Sequence, residues 1–466
     1  MKSLNPTRKI SNLLVAAAIV LSLCILSLIK ARYCSSPYAN PQEALEQAKP
    51  KYASERDGGD QRNTSASQEI TVVKNANNSI CSETSKRSNV CEAEGDIRIR
   101  GSSQTIFLPH SLTDQEWKTK PYCRKHDPPA MENVTLWIIK PFSGKAPPPP
   151  CTVKSAVPAL VFSVGGYTDN LFHSFTDVIV PLFISSYQFH GEVQFILSDV
   201  QQWWMDLFVL IFKQLSKYEI INASSDEEQS TVRCFPRVIV GLRFHKELGV
   251  NASKTPTGFS MAEFKAVLRR TYGLERATVA EPPPGEKPRL LIISRNETRV
   301  FLNEKEMTDM AAGLGFEVRT AEANRSTNLG VFARLVNSAD VMMGVHGAGL
   351  TNMVFLPAGA VVIQVVPITG LDWLARDTFG KPSAGMELKY LEYQISEEES
   401  SLSELYPKDH PVLRDPSSIT KQGWKVISKT YLDNQDVRPD LGRLRNTLLE
   451  ALSLLPNGGK EKEAAN

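Results

Sequence analysis

Two series of short apolar runs dominate the chain, each alternating with segments whose apolar residues recur at helical spacing. Pro158 to Val164, Val193 to Leu197 and Arg237 to Gly241 read as strands. Asn170 to Phe189 reads as a long helix with a candidate break at Pro181, and Trp203 to Leu215 as a second helix. The proline-rich stretch Glu281 to Glu286 punctuates the pattern, which then restarts. Arg289 to Ser294 is a strand, and a helix opens at Asn303, with Glu306 three residues on in capping-box spacing. Phe316 to Val318 is a short strand and Leu329 to Val336 a helix; Val341 to Met343 and Val361 to Val366 are strands. Strand-length apolar runs alternating with helices predict parallel βαβ units. The expected fold is α/β, with two Rossmann-like domains, 101–280 and 281–456, facing a cleft.

The N-terminal region has a different pattern. Leu13 to Ile29 is an uncharged apolar run of 17 residues, preceded by Lys2, Arg8 and Lys9 and followed by Lys30 and Arg32. It is short for a membrane span and long for a cleaved signal core. We read 13–29 as a signal-anchor transmembrane helix, 1–12 as a cytoplasmic tail, 30–100 as a polar, flexible luminal stem and 457–466 as a disordered tail. Seven Asn-x-Ser/Thr sequons begin at Asn63, Asn77, Asn133, Asn222, Asn251, Asn296 and Asn324, all beyond the anchor, which favours a luminal body. A short span suits a thin, early-secretory or Golgi membrane. Cys24 lies in the anchor; Cys34, Cys81, Cys91, Cys123, Cys151 and Cys234 lie beyond it, an even number that predicts disulfides, with Cys81 and Cys91 closing a small loop. A net charge of +2 without a basic stripe argues against a nucleic-acid partner.

Three constellations carry candidate chemistry. Gly344 to Asn352 follows an apolar strand and breaks into glycines, which lets a ligand approach the backbone; His346 and Asn352 add side-chain hydrogen bonding. A simple turn is the alternative. Arg295 and Arg299 follow the strand that ends at Ser294, at the same sheet edge, where two guanidiniums can grip a diphosphate; surface pairing of Arg299 with Glu297 or Glu304 is the alternative. In Gly165 to Asp177, Asn170, His173 and Asp177 share one helical face, so a histidine and a carboxylate stand as base and orienting partner. A cap network around Thr168 and Asp169 is the bland reading. No Asp-x-Asp pair occurs, which favours a site that holds its anion without a metal, and no Gly-Lys-Ser/Thr phosphate loop occurs. Glu397 to Glu399 reads as a solvated charge run, and Trp203, Trp204, Tyr390 and Tyr393 more as core than as sugar platforms.

Together, Tyr167 to His173, Ile293-Ser294-Arg295 with Arg299, and Gly344 to Asn352 resemble glycosyltransferase family 61. Tyr431 to Val437 looks like its plant xylan-decorating branch, and the likeness spans roughly Thr105 to Leu454. The resemblance implies a GT-B-like, two-domain enzyme of type II topology in the Golgi membrane, acting without a metal or other cofactor. It implies that Ser294, Arg295, Arg299, His346, Gly347, Gly349 and Asn352 hold the diphosphate of a UDP-pentose donor. Asp169 and Asn170 would lie on the acceptor side, with His173 and Asp177 as the catalytic candidates. The implied acceptor is xylan or a xylo-oligosaccharide, receiving β-1,2-xylose from UDP-xylose or, as the nearer rival, α-1,3-arabinofuranose. An N-glycan β-1,2-xylosyltransferase and a non-catalytic Golgi scaffold are the remaining alternatives.

Overall fold

A computed structural model describes residues 79–456, apart from 110, 113, 143–146, 325–326 and 371. The expected anchor, Asn63, Asn77, Cys24, Cys34 and the 457–466 tail lie outside the described residues. Among the described residues no helix is long and apolar enough to cross a membrane. The described residues fall within one compact unit that contains two sheets.

The first sheet begins earlier than the sequence pattern suggests. β1 (Cys81–Ser85) and β2 (Ser88–Arg100) form an antiparallel hairpin closed by the Cys81–Cys91 disulfide. Residues 81–100 therefore belong to the folded body and not to a stem. The composition misleads because β2 alternates: Val90, Ile97 and Ile99 are buried, while Asn89 and Glu94 to Asp96 face outward. β3 (Thr105–Leu108), β4 (Trp117–Thr119) and β5 (Trp137–Pro141) extend the sheet on one side of β2. On the other side lie β6 (Val153–Lys154), β7 (Ala159–Ser163), β8 (Gln194–Ser198), β9 (Ile221–Asn222) and β10 (Arg233–Val240). β10, β7, β8 and β9 are mutually parallel in that order. Cys151 pairs with Cys234, but Cys123 is a free, buried thiol, so the cysteines beyond the anchor do not all pair.

After β7 the chain enters a continuous helix, α1, built from Leu171–His173, a π-helical Ser174–Ile179 and Val180–Ser186. Pro181 does not break it. The wider turn ahead of the proline, where the Val180 N–H reaches Phe175 O, absorbs the missing donor. α2 (Gln202–Leu215) and α3 (Met261–Tyr272) complete this half; α3 begins at a true capping box of Ser260 and Glu263.

The second sheet is wholly parallel, in the order β12-β11-β13-β14-β15: β11 (Arg289–Ile293), β12 (Glu317–Ala321), β13 (Val341–Val345), β14 (Val361–Val366) and β15 (Lys389–Gln394). β13 and β14 are buried throughout, as strands covered on both faces must be. α4 (Glu304–Gly313), α5 (Leu329–Ser338) and α6 (Leu441–Leu454) flank it. Asn303 precedes α4 without capping it; its amide instead donates to Pro439 O. The 397–399 run is not fully solvated either. Glu399 is buried, accepting from Ser396 N at 2.6 Å and from Asp440 N at 2.5 Å, and pairing with Tyr393 and Arg443.

The two sheets share one hydrophobic core, in which Phe162, Phe175 and Phe183 pack with Met342, Leu350 and Phe355. α3 lies ahead of the proline stretch, yet its Lys265 donates to Met386 O at 2.7 Å, and just beyond it Arg276 pairs with Asp340.

Candidate functional site

In an open parallel sheet, ligands sit beyond the carboxyl ends of the strands where the strand order reverses. In the second sheet that point lies between β11 and β13, because the chain leaves β11 for β12 on one side and returns to β13 on the other. Arg295 and Arg299 follow β11, and His346 and Gly347 follow β13, so sequence-distant residues converge on one crevice.

The convergence is close. Gly347 has φ +150°, and a Cβ there would meet Arg299 Nη1 at 2.8 Å and Arg295 Nη1 at 3.2 Å. The glycine is what admits both guanidiniums. Arg295 is braced by its own loop, donating to Thr298 O at 2.6 Å and to Thr298 Oγ1 at 3.0 Å. Arg299 donates through Nη1 to His346 O at 2.8 Å, while its Nε is buried without a partner. Among the described residues neither arginine has a carboxylate within ion-pair distance, so Arg299 does not pair with Glu297 or Glu304; Ser294 Oγ takes Glu304 instead, at 2.7 Å. Burial and the neighbouring Arg295 push the Arg299 guanidinium down to about 10, and burial also lowers Arg295. Two cations held together with no carboxylate in ion-pair contact make a site suited to an anion.

His346 is fixed by a chain of amide and hydroxyl groups. Tyr390 donates to Gln364 Oε1 at 2.9 Å, so the Gln364 amide faces His346 Nδ1 at 2.7 Å as a donor. This places the imidazole proton on Nε2. Burial and the two arginines push His346 down to about 3, so it stays neutral. Asn352 donates to Gly349 O at 2.9 Å, leaving its buried Oδ1 without a partner; the nearby Thr351 Oγ1 is likewise unpartnered. A Cβ on Gly349 would press on Ile293 at 3.0 Å.

The first half builds a different environment. A Cβ on Gly165 would strike Asn133 O at 2.3 Å, and one on Gly166 the Tyr122 ring at 2.3 Å, so these glycines serve close packing. Asn170 caps α1, accepting from Phe172 N at 2.9 Å. His173 Nδ1 lies 3.0 Å from Asp177 Oδ2, with the His173 side chain 21% exposed and Asp177 wholly buried. Arg124 donates to the same carboxylate oxygen at 2.7 Å and Tyr122 at 3.0 Å, with Arg87 3.8 Å from the other oxygen. Asp177 therefore reaches no substrate; it can only orient and polarise His173.

A cavity of about 890 Å³ lies between the halves. Asp169, Asn170, Ser294, Arg295, Gly349 and Asn352 line it. His173, Asp177, Arg299, His346 and Gly347 are not part of its lining, although Phe379 bridges toward them, its ring 5.6 Å from Phe172 and 5.7 Å from His346. The sequons at Asn133, Asn296 and Asn324 are exposed, and the last two also line the cavity; Asn222 and Asn251 are half-buried, each accepting from a backbone N–H two residues on. Sequence reasoning missed Gln364, whose signal was a lone amide in an otherwise apolar strand. It also missed Arg87, Tyr122 and Arg124, which carry no local signal.

Residues 171–363 match the family model described as Glycosyltransferase 61. The beta-1,2-xylosyltransferase XYXT1 of Oryza sativa subsp. japonica is 41% identical over 396 residues, covering 80% of this chain and 84% of that one. The chain belongs to glycosyltransferase family 61. The alpha-1,3-arabinosyltransferase XAT3, also of Oryza sativa subsp. japonica, is 46% identical over 388 residues, 82% of this chain and 66% of that one, so the chain spans just under two thirds of its length. The xylan glycosyltransferase MUCI21 of Arabidopsis thaliana is 39% identical over 394 residues, 80% and 78% of the two chains. The span matched to the family 61 model holds His173, both arginines and the Gly344 to Asn352 segment. Arg87, Tyr122 and Arg124 stand outside it.

Proposed function

We propose that this family 61 protein is a pentosyltransferase that moves a pentose from a UDP-sugar to the xylan backbone in plant cell-wall biosynthesis. The observation that carries the reading is the Arg295–Arg299 pair, converging on Gly347 without a carboxylate. A GT-B-like arrangement, with the donor on the second sheet and the acceptor approaching from α1, is consistent with that placement. An acceptor hydroxyl attacks the anomeric carbon, its proton passes to His173 Nε2, and the bond to the diphosphate breaks. Both guanidiniums and the amides that begin the 3-10 helix Ala348–Phe355 take up the charge on the leaving UDP. With Asp177 accepting from Nδ1, the neutral tautomer of His173 carries its lone pair on Nε2.

The two donors are UDP-xylose, giving β-1,2-xylosyl xylan, and UDP-arabinofuranose, giving the α-1,3-arabinofuranosyl product. The higher identity to XAT3 favours the second. The apolar 13–29 run, the sequons and the two disulfides support a type II protein of the Golgi membrane. The absent Asp-x-Asp pair and the cationic phosphate site support metal-independent transfer.

A screen of both donors on xylo-oligosaccharides, followed by linkage analysis, tests the reading. We expect one pentosylated product, undiminished by EDTA. No transfer from either donor, together with no UDP binding, would leave only a scaffold. Loss of turnover with EDTA would overturn metal independence, and full turnover by a folded His173→Ala variant would remove His173 as the base.

A further inference from the structure

The cavity lining raises a geometric question: it includes Arg295 but neither Arg299, His346 nor His173. Beyond the β11 end it extends over the end of β12, where Glu322, Ala323 and Thr327 line it with Leu329 and Phe332 of α5. It thus runs from the β12 end past Arg295 to the start of α1, where Asp169, Asn170, Leu171 and Ser174 line it, while His346 and Phe379 lie outside it beyond Gly347. A nucleotide-sugar has the same two-sidedness, with its diphosphate between a nucleoside and a reacting sugar.

Register places Glu322 closely. β11 and β12 are parallel with Ile293 opposite Ala321, and Ser294 N donates to Ala321 O at 2.9 Å. Glu322 is thus the residue beside Ser294, one strand over from the crevice, a lateral step of about 4.8 Å. Its exposed carboxylate is close enough to Arg295 to favour that side chain's charged form. In the dinucleotide-binding βαβ unit, an acidic side chain after the neighbouring strand accepts from ribose hydroxyls, while the phosphates sit at the end of the first strand. The β11–α4–β12 unit has that layout, with Arg295 and Arg299 in place of a glycine-rich phosphate turn.

We propose that Glu322 is the ribose acceptor of the donor site, its carboxylate taking the 2′- and 3′-hydroxyls of the nucleoside diphosphate. The base lies in the cavity end walled by Leu329 and Phe332. The sugar consequently projects the opposite way, past Gly347 toward His346, Phe379 and the exposed edge of His173. This rests on the diphosphate reading of the arginine pair and adds the direction in which the donor lies.

The test is calorimetric titration of the full chain with UDP, 2′,3′-dideoxy-UDP and inorganic pyrophosphate. The wild type is expected to bind UDP roughly tenfold to a hundredfold more tightly than the dideoxy analogue, the range of charge-assisted hydrogen bonds. Glu322→Ala is expected to bind both nucleotides equally and pyrophosphate as the wild type does. An exposed side chain is replaced, so an unchanged melting temperature serves as the folding control. If Glu322→Ala keeps the full discrimination, or the wild type shows none, the ribose assignment is wrong. The diphosphate reading fails separately, if Arg299→Ala leaves UDP and pyrophosphate affinity intact.

Discussion

Arg299 and His346 show how a site is tuned by what surrounds it. His346 is neutral because burial and two cations disfavour its proton, and a neutral imidazole buried this way affects stability. Its pKa is pushed from 6.5 down to about 3, so the unfolded chain binds a proton that the folded chain refuses. The stability this gives is complete above pH 6.5 and is lost as pH falls toward 3, at up to about 1.4 kcal/mol per pH unit. His245, lowered to about 4 by burial and nearby cations, acts in the same direction. Urea midpoints at pH 7 and pH 5 should therefore fall more in the wild type than in His346→Gln. Equal losses would mean that His346 is not held neutral. Gly347 acts on the same two arginines sterically. Gly347→Ala is expected to weaken UDP binding about tenfold or more while leaving the fold intact, because the new Cβ occupies the space of Arg299 Nη1 and the φ of +150° is strained for alanine. Undiminished UDP affinity would show that the guanidiniums need not meet there.

Among elements, the segment after β15 does the least visible work. Arg299 has φ +56°, an unusual backbone for a non-glycine residue, and the 435–437 stretch holds it there. Arg299 N donates to Gln435 O at 3.0 Å, Val300 N to Asp436 Oδ1 at 2.8 Å and Leu302 N to Val437 O at 2.9 Å. Gln435 is anchored in turn by Ile368, whose N–H and C=O both bond its side chain at 2.9 Å. Asp436→Ala leaves the Val300 N–H without its acceptor, so hydrogen exchange over 299–302 should quicken while β13 and β14 stay protected, with UDP affinity falling in step. Unchanged protection over 299–302 would refute the brace. In sequence, Tyr431 to Val437 read only as a branch marker, because the loop it braces is distant in the chain, with Val300 and Asp436 separated by 136 residues. The parallel strands β7, β11, β13 and β14 were legible as short apolar runs, and so were the residues at their ends, since ligand crevices follow strand ends. The hairpin of β1 and β2 was not legible, because alternating burial in a polar composition resembles a stem. Nor was the burial of Glu399, since its partners Tyr393, Asp440 and Arg443 come from other elements.

At the scale of the whole molecule, the proline stretch at 281–286 reads in sequence as a linker between two domains, but the packing ties the two sheets together. The Phe355 ring, on the helix after the Gly344 to Gly349 turn, lies 5.8 Å from Phe175 of α1 and 5.7 Å from Tyr272 of α3. All three rings are buried in the core that both sheets share. The sheets cannot swing apart about Pro282 to Pro284 without exposing them to water, so the arginine crevice and the face carrying His173 keep their spacing by core packing. Truncating a buried phenylalanine costs about 3–5 kcal/mol. In Phe355→Ala that loss should fall on both sheets, because the ring belongs to neither alone. Calorimetry of the wild type should give one unfolding transition whose van't Hoff enthalpy equals the calorimetric value, and Phe355→Ala should lower its midpoint without splitting it. Two transitions, with only the later one displaced by Phe355→Ala, would mean that the halves fold separately and that the cleft between them opens as a hinge.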